Sequence, residues 1–218
     1  TPEDVREAKA LINGRAALMV KLEKPAALLQ LDEIIELADA LMIARGDLGV
    51  EIPPEDVPAT QKRVIRQVRA AGKPVIVATH MLESMIDSPT PTRAEASDVA
   101  TAIYQGADAV MLSAETAVGR HPATAVAIMD RIIAAAETDP FFTQGLAGAK
   151  LQPKATVEDA ISDSVRGIAG TLDCKAVLGF TRSGSTVKRL ARARPHCRIL
   201  GLTPDRRVAN RRRERCPS

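Results

Sequence analysis

Ala40-Leu41-Met42-Ile43-Ala44-Arg45-Gly46-Asp47-Leu48-Gly49 is the stretch that decides the fold. Five apolar residues run unbroken and then give way to charge and glycine. So short and uniform a run predicts a strand buried on both faces, as in a parallel sheet covered by helices. The same grammar recurs on either side. Ala16 to Leu22 is a short apolar run ahead of Glu23. Pro74-Val75-Ile76-Val77-Ala78 leads into Thr79-His80, and Ala109-Val110-Met111-Leu112 leads into Ser113. Helical spacing fills the intervals, over 2–13 and about 26–38, 60–71, 92–105 and 122–137. Thr1 is placed to cap the first helix and Pro2 lies in its first turn, while Gly14, Gly72 and Gly106 close three of the five. Alternating strands and helices predict an α/β chain with a parallel sheet. Four strands are half of what closes an eight-stranded barrel, so the expectation is a partial (β/α)8 TIM barrel.

Polar residues cluster just after each strand: Lys21 and Glu23, Arg45 and Asp47, Thr79 and His80, Ser113 and Glu115. Ligands gather at the C-terminal ends of strands in barrels and open α/β sheets alike. No Gly-x-Gly-x-x-Gly follows a strand, which weighs against a dinucleotide fold. Residues 140–155 turn to Pro, Gly, Gln and Phe and read as a linker between a first domain at 1–139 and a second at 156–218. The second is predicted to run helix 156–171, strand 176–180, helix 184–193 and strand 198–202. A last helix, opened by Thr203-Pro204-Asp205, gains no following strand, so this reads as a truncated α/β domain.

The 218 residues are 45% hydrophobic and 26% charged, enough for one large domain or one domain with part of another. Aromatics are 2% with no Trp, so the core must be aliphatic. The net charge of +3 hides a basic end, Asn210-Arg211-Arg212-Arg213-Glu214-Arg215. With so few aromatics and no recognition motif it reads as a solvated or incompletely folded end, not a nucleic-acid surface. Cys174, Cys197 and Cys216 are odd in number and lack metal-ligand spacing, which points to a reducing, cytoplasmic setting. No apolar run approaches the roughly 20 residues of a membrane span, and no secretory leader is expected. The helical pattern starts immediately after Thr1, as if the sequence entered partway through a larger fold.

On a strand, Lys21 and Glu23 point the same way. A carboxylate there can hold a divalent ion while the ammonium meets developing negative charge. Asp47 is expected in a turn flanked by Gly46 and Gly49, where backbone amides can approach an anion. Two carboxylates with few other ligands suit Mg²⁺, which keeps waters and shares substrate oxygens. Phosphoryl transfer needs mainly positioning and charge neutralisation, and this set could supply both.

These residues resemble the pyruvate kinase family, from about Pro2 to Asp139. The resemblance is carried by Lys21-Leu22-Glu23-Lys24-Pro25, Ala44-Arg45-Gly46-Asp47-Leu48-Gly49-Val50-Glu51 and Met81-Leu82-Glu83-Ser84-Met85. Further along it rests on Pro89-Thr90-Pro91-Thr92-Arg93-Ala94-Glu95, Ser97-Asp98-Val99-Ala100 and the run from Gly106 to Thr116. It implies a cytoplasmic, homotetrameric glycolytic enzyme that moves phosphate from phosphoenolpyruvate to ADP, giving pyruvate and ATP, with Mg²⁺ (or Mn²⁺) and K⁺. By the same resemblance Lys21 would stabilise the phosphoryl group in flight, and Glu23 and Asp47 would ligate the metal. Amides at Arg45, Gly46 and Asp47 would hold the substrate carboxylate. Thr79 would assist binding and enolate protonation, and Ser113 and Glu115 would line a proton-transfer network. The family's first four strands and its lid, which carry the K⁺ site and further phosphate-handling Arg residues, have no counterpart in these residues. The chain alone is therefore expected to show no turnover.

Residues 156–209 resemble the start of the family's C-terminal domain. Thr181-Arg182-Ser183-Gly184-Ser185-Thr186 follows a strand and opens a helix, and the resemblance implies that it binds the phosphate of an allosteric effector. An ordinary helix cap is the competing reading. His80 stands where the family usually has Gln and is read as a loop histidine without an evident partner, and Glu83 as a structural contact under the loop. Met81, Met85 and Met111 read as core. Two other functions fit the same residues less fully. One is a Mg²⁺-dependent lyase or aldolase acting on pyruvate-like substrates. The other is a non-catalytic truncated product that binds phosphorylated effectors or subunits.

Overall fold

The four apolar runs of the first half form β1 (Met19–Leu22), β2 (Ala40–Ala44), β3 (Val75–Ala78) and β4 (Ala109–Met111). In this computed structural model, which describes residues 1–142 and 156–213, they make one parallel sheet in the order β1-β2-β3-β4. A doubly wound sheet reverses its strand order partway. Sequential order throughout is that of a barrel wall, in which right-handed crossovers carry every helix to the same face.

Register shows that sidedness. Leu22 pairs with Ile43 and Ile43 with Val77, while Leu41 pairs with Val75. These residues share one face, have no accessible surface, and join an apolar cluster with Ile34, Ile65, Val68 and Val99. The opposite face carries Met19, Lys21, Met42, Ile76, Ala109 and Met111, every one of them at least partly accessible. The alanines at strand ends on that face, Ala40, Ala44 and Ala78, are buried.

The covering helices are α1 (Pro2–Ile12), α2 (Pro25–Leu29), α3 (Leu31–Leu37), α4 (Arg45–Glu51), α5 (Val57–Ala70), α6 (Arg93–Gln105), α7 (Ala114–Ala117) and α8 (Pro122–Thr138). Thr1 caps α1 and Thr92 caps α6, each in a reciprocal capping box, with Asp4 and Glu95 respectively. Two expectations need correction. The single helix expected over 26–38 is broken at Gln30, which takes φ −114° and ψ 24°. The glycine-flanked turn expected around Asp47 is the helix α4. Glycine costs about 1 kcal/mol in a helix interior, but complete burial of Leu48 offsets it.

The chain divides into Thr1–Lys150 and Leu151–Ser218. Most of the expected linker, and the tail beyond Arg213, lie outside the described residues. Pro140, Phe141 and Phe142 are helical. Tyr104 donates to Asp139 at 2.6 Å, and its ring centroid lies 6.4 Å from that of Phe142.

The second unit contains α9 (Val157–Thr171), β5 (Ala176–Phe180), α10 (Ser185–Ala193), β6 (Arg198–Leu202) and α11 (Arg206–Arg213). β5 and β6 are parallel. Asp159 on α9 is buried and accepts from Arg189 at 3.1 Å and Arg192 at 2.9 Å, binding α9 to α10. Among the described residues no helix is long and apolar enough to cross a membrane.

Ile43 sits at the centre of the buried sheet face. Ile43→Ala is expected to lower stability by about 2–5 kcal/mol, read as a reduced midpoint of urea unfolding at unchanged m-value. A loss within experimental error would show that this face is not the dry core described.

Candidate active site

Strand alternation places Lys21 on the open sheet face, because its neighbour Leu22 is buried on the other. Its ammonium is ion-paired with Glu23 and lies 3.0 Å from Asp47 Oδ2, in the first turn of α4. Hydrogen bonding to Glu23, and then to Asp47, holds the Lys21 pKa above the ordinary lysine value, so the group stays cationic at neutral pH. The three side chains are half-exposed at the C-terminal ends of β1 and β2. Two carboxylates converge there on one positive point. That donor set fits an oxygen-seeking divalent ion completed by water and substrate. Among the described residues no group of three or more His, Cys, Asp or Glu forms a closed metal cage.

Thr79 follows β3 and is bound to α4. The Gly46 amide donates to Thr79 Oγ1 at 2.6 Å, and that hydroxyl donates to Ala78 O at 2.6 Å. A Cβ on residue 46 would fall 3.2 Å from both Thr79 Oγ1 and His80 Cε1, so glycine permits the close approach. The Gly46 amide expected to face a substrate is thus engaged by Thr79. Thr79 and His80 take φ of 69° and 53°. Consecutive non-glycine residues in that region cost about 1–3 kcal/mol each, and for β-branched Thr79 the conformation is rare.

Arg45 was expected to act through its backbone amide, but its side chain is prominent. The guanidinium is nearly buried, 2.7 Å from Asp98 Oδ1, and donates to the carbonyls of both Thr79 and His80. Asp98 and its neighbour Gln61, 3.4 Å from Arg45 Nη1, are residues that sequence reasoning did not single out. Asp98 lies within a family-like motif, but nothing in the linear pattern couples it to a residue on another element.

Ser113 and Glu115 follow β4, at the same end of the sheet. Glu115 is buried and accepts from the amides of Leu82 (3.1 Å) and Ser113 (2.7 Å), fastening the loop after β3 to the one after β4. Glu83, expected beneath the loop, is exposed instead, with His80 Nε2 3.9 Å from its carboxylate. The glutamate under the loop is Glu95, which accepts from Ser84 N at 2.7 Å and Ser84 Oγ at 2.5 Å while capping α6.

In the second unit, Thr181 Oγ1 is buried and accepts from Gly184 N at 2.8 Å. Ser183 Oγ accepts from Ser185 N at 3.4 Å and donates to Ser185 Oγ at 3.1 Å. The loop hydroxyls thus engage the amides of Gly184 and Ser185 at the entrance to α10, no side chain caps that helix at Gly184, and Arg182 and Ser183 are exposed.

A lysine between two carboxylates at the C-terminal edge of a one-sided parallel sheet defines a barrel-type site. Comparison with known proteins places it further. The family model described as "Pyruvate kinase, barrel domain" matches residues 1–126, and "Pyruvate kinase, alpha/beta domain" matches residues 159–214. The chain belongs to the pyruvate kinase family. It is 54% identical over 210 residues to a pyruvate kinase of Methylorubrum extorquens, covering 96% of this chain and 44% of that protein. It is 49% identical over 201 residues to one from Mycobacterium tuberculosis, covering 92% and 42%. A crystal structure of a pyruvate kinase from Cryptosporidium parvum superposes with a TM-score of 0.89 at 37% identity, covering 99% of this chain and 46% of that one. The chain spans less than half the length of the curated relatives it matches.

The Glu95 contacts predict a pH dependence. Burial pushes its pKa up, but hydrogen bonds from Ser84 and Thr92 outweigh this and leave it below the ordinary glutamate range. A depressed folded-state value means stabilisation that is full above the unfolded pKa of about 4.3 and lost as pH falls through the folded value. Amide exchange at 84–92, corrected for its intrinsic pH dependence, should therefore accelerate below about pH 4.3 in the wild type. Glu95→Gln should show that protection already weakened at neutral pH, without the acid step. An acid step that survives in Glu95→Gln would assign the titration to another group.

Proposed function

We propose that the protein to which these residues belong is a pyruvate kinase that transfers the phosphoryl group of phosphoenolpyruvate to ADP. The observation that carries this reading is Lys21 held between Glu23 and Asp47. Those carboxylates are the residues that would hold Mg²⁺ (or Mn²⁺), which when bound would neutralise phosphate charge and orient substrate oxygens. Lys21 would release them to that ion and turn its ammonium to the phosphoryl group in transit, where charge stabilisation has most effect. The amides of Arg45 and Asp47 in the first turn of α4 would orient the substrate carboxylate, while that of Gly46 holds the Thr79 hydroxyl. The enolate left after transfer would gain a proton on its methylene carbon, with the Thr79 hydroxyl, fixed by Gly46, beside it.

Family membership supports a wider set of proposals: a K⁺ requirement met by residues outside this chain, a homotetramer and a cytoplasmic location. An effector phosphate at Thr181–Thr186 would meet a loop in which Thr181 and Ser183 already accept from the amides of Gly184 and Ser185. The accessible sheet face supports a second reading for the 218 residues taken alone, as a non-catalytic product.

In a coupled assay, the product of the complete reading frame should form pyruvate only with both phosphoenolpyruvate and ADP. Lys21→Met should lower kcat by about 100- to 1,000-fold, and the 218-residue chain alone should show no turnover. Full activity in Lys21→Met, or Lys21-dependent turnover by the short chain, would contradict these assignments. Separately, Glu23→Gln and Asp47→Asn should each weaken Mn²⁺ binding by about tenfold or more, measured by electron paramagnetic resonance without substrate. Unchanged Mn²⁺ affinity in both would remove them as ligands.

A further inference from the structure

We propose that Asp98 is a positioning residue for Thr79, acting through the Arg45 guanidinium. This rests on the reading of Thr79 as a substrate-site group, although the clamp itself can be tested without that reading.

Thr79 and His80 form a turn in which both residues are left-handed, at φ 69° and 53°. Such a backbone persists only where its surroundings over-determine it. Arg45 supplies that constraint. Its Nη2 donates to Thr79 O and to His80 O, each at 3.0 Å, and its Nε reaches Thr79 O at 3.3 Å. The planar fork allows one side chain to serve two successive carbonyls. Arg45 also begins α4, so its neighbour Gly46 meets the other end of the same residue through the Thr79 hydroxyl, at 2.6 Å. Thr79 is thereby held at both its carbonyl and its side chain by adjacent residues of one helical turn.

The guanidinium needs a reason to stay. Its side chain is only 9% exposed, and a charge so placed requires a partner. Asp98, from the middle of α6, provides it, with carboxylate oxygens 2.7 and 2.6 Å from Nη1. Gln61 of α5, at 3.4 Å from Nη1, is a neutral neighbour and cannot replace the charge. An alternative place for the arginine is close at hand. A cavity of about 390 Å³ is lined by Arg45, Gly46, Val50, His80 and Asp98, among others. Without the Asp98 carboxylate the guanidinium can swing into that space and release both carbonyls, and the turn then relaxes from its left-handed conformation. Thr79 Oγ1 moves with it.

The test uses the product of the complete reading frame and the variants Asp98→Ala, Asp98→Asn and Arg45→Lys. Asparagine keeps the shape of Asp98 and removes its charge, so the comparison survives if the alanine variant fails to fold. Lysine keeps a positive charge for Asp98 but cannot span two carbonyls. Hydrogen exchange without substrate should be about tenfold or more faster at residues 79–82 in Asp98→Asn and Arg45→Lys, with the amides of β2, β3 and α5 unchanged. Kinetically, Asp98→Asn should lower kcat by about a hundredfold. In a Thr79→Val background it should add less than a twofold loss. Unchanged exchange at 79–82, acceleration spread evenly over the unit, or losses that multiply in the double variant would each overturn the proposal. If the wild type makes no pyruvate, the proposed function falls, and the exchange result alone still decides whether Asp98 holds the turn.

Discussion

Leu22, Leu41, Ile43, Val75 and Val77 have no accessible surface, and their burial fixes which way the other residues on those strands point. Side chains alternate with a period of two, so a register slip of one residue would drive Lys21 into the helix layer and expose Leu22. Putting an ammonium into that layer would be more costly than anything the slip could recover. The dry face therefore does more than hold helices to a sheet. It sets the register that aims Lys21 to the open side and brings it within 3.0 Å of a carboxylate on the next strand's outgoing helix.

Sequence reasoning reached the sheet because the apolar runs are short, continuous and separated by strong helical periods. The strand Ala40–Ala44 is found with the bounds expected of it, as is Ala176–Phe180 in the second unit. It failed where local composition and tertiary burial disagree. Gly46 and Gly49 argue for a turn, yet Leu48 between them is buried, and packing carries the segment into a helix. The pairing of Lys21 with Glu23 was legible because both lie on one short segment. The coupling of Arg45 to Asp98, or of Glu115 to Leu82, crosses between elements, and a linear pattern holds no information on which acid meets which loop. Hence Glu83, close in sequence to the loop, was assigned a role that distant Glu95 and Glu115 fill.

These carboxylates hold together the segments that follow β2, β3 and β4. Glu115 draws the loops after β3 and β4 together, Glu95 joins the loop after β3 to the start of α6, and Asp98 retains Arg45 under the Thr79 turn. Each replaces a water contact of a polar group with a protein one, and in the loop after β3 this adds to the complete burial of Met81, Leu82 and Met85. The C-terminal end of the sheet is thus stabilised by both means: apolar burial sets the register and anchors the loop after β3, and charge-assisted hydrogen bonds join that loop to its neighbours.

The second unit shows the same division with the polar component turned inward. Gly179 and Gly201 let Val187 of α10 come close to the two-stranded sheet, and a Cβ on residue 201 would fall 2.9 Å from its Cγ2. That approach brings α10 down onto one face, while Leu178, Phe180, Leu200 and Leu202 occupy the other and are exposed. Asp159 then gathers Arg189 and Arg192, two of the cations on α10, away from the loop that precedes that helix. Thr181 and Ser183 engage the amides of Gly184 and Ser185, and exposed Arg182 is the charged group of that loop. An arginine on an exposed loop is a weaker determinant than a buried one with a fixed partner. On this physical ground the site at β1 and β2, where charges converge on a single point, carries a sharper chemical assignment than the loop before α10.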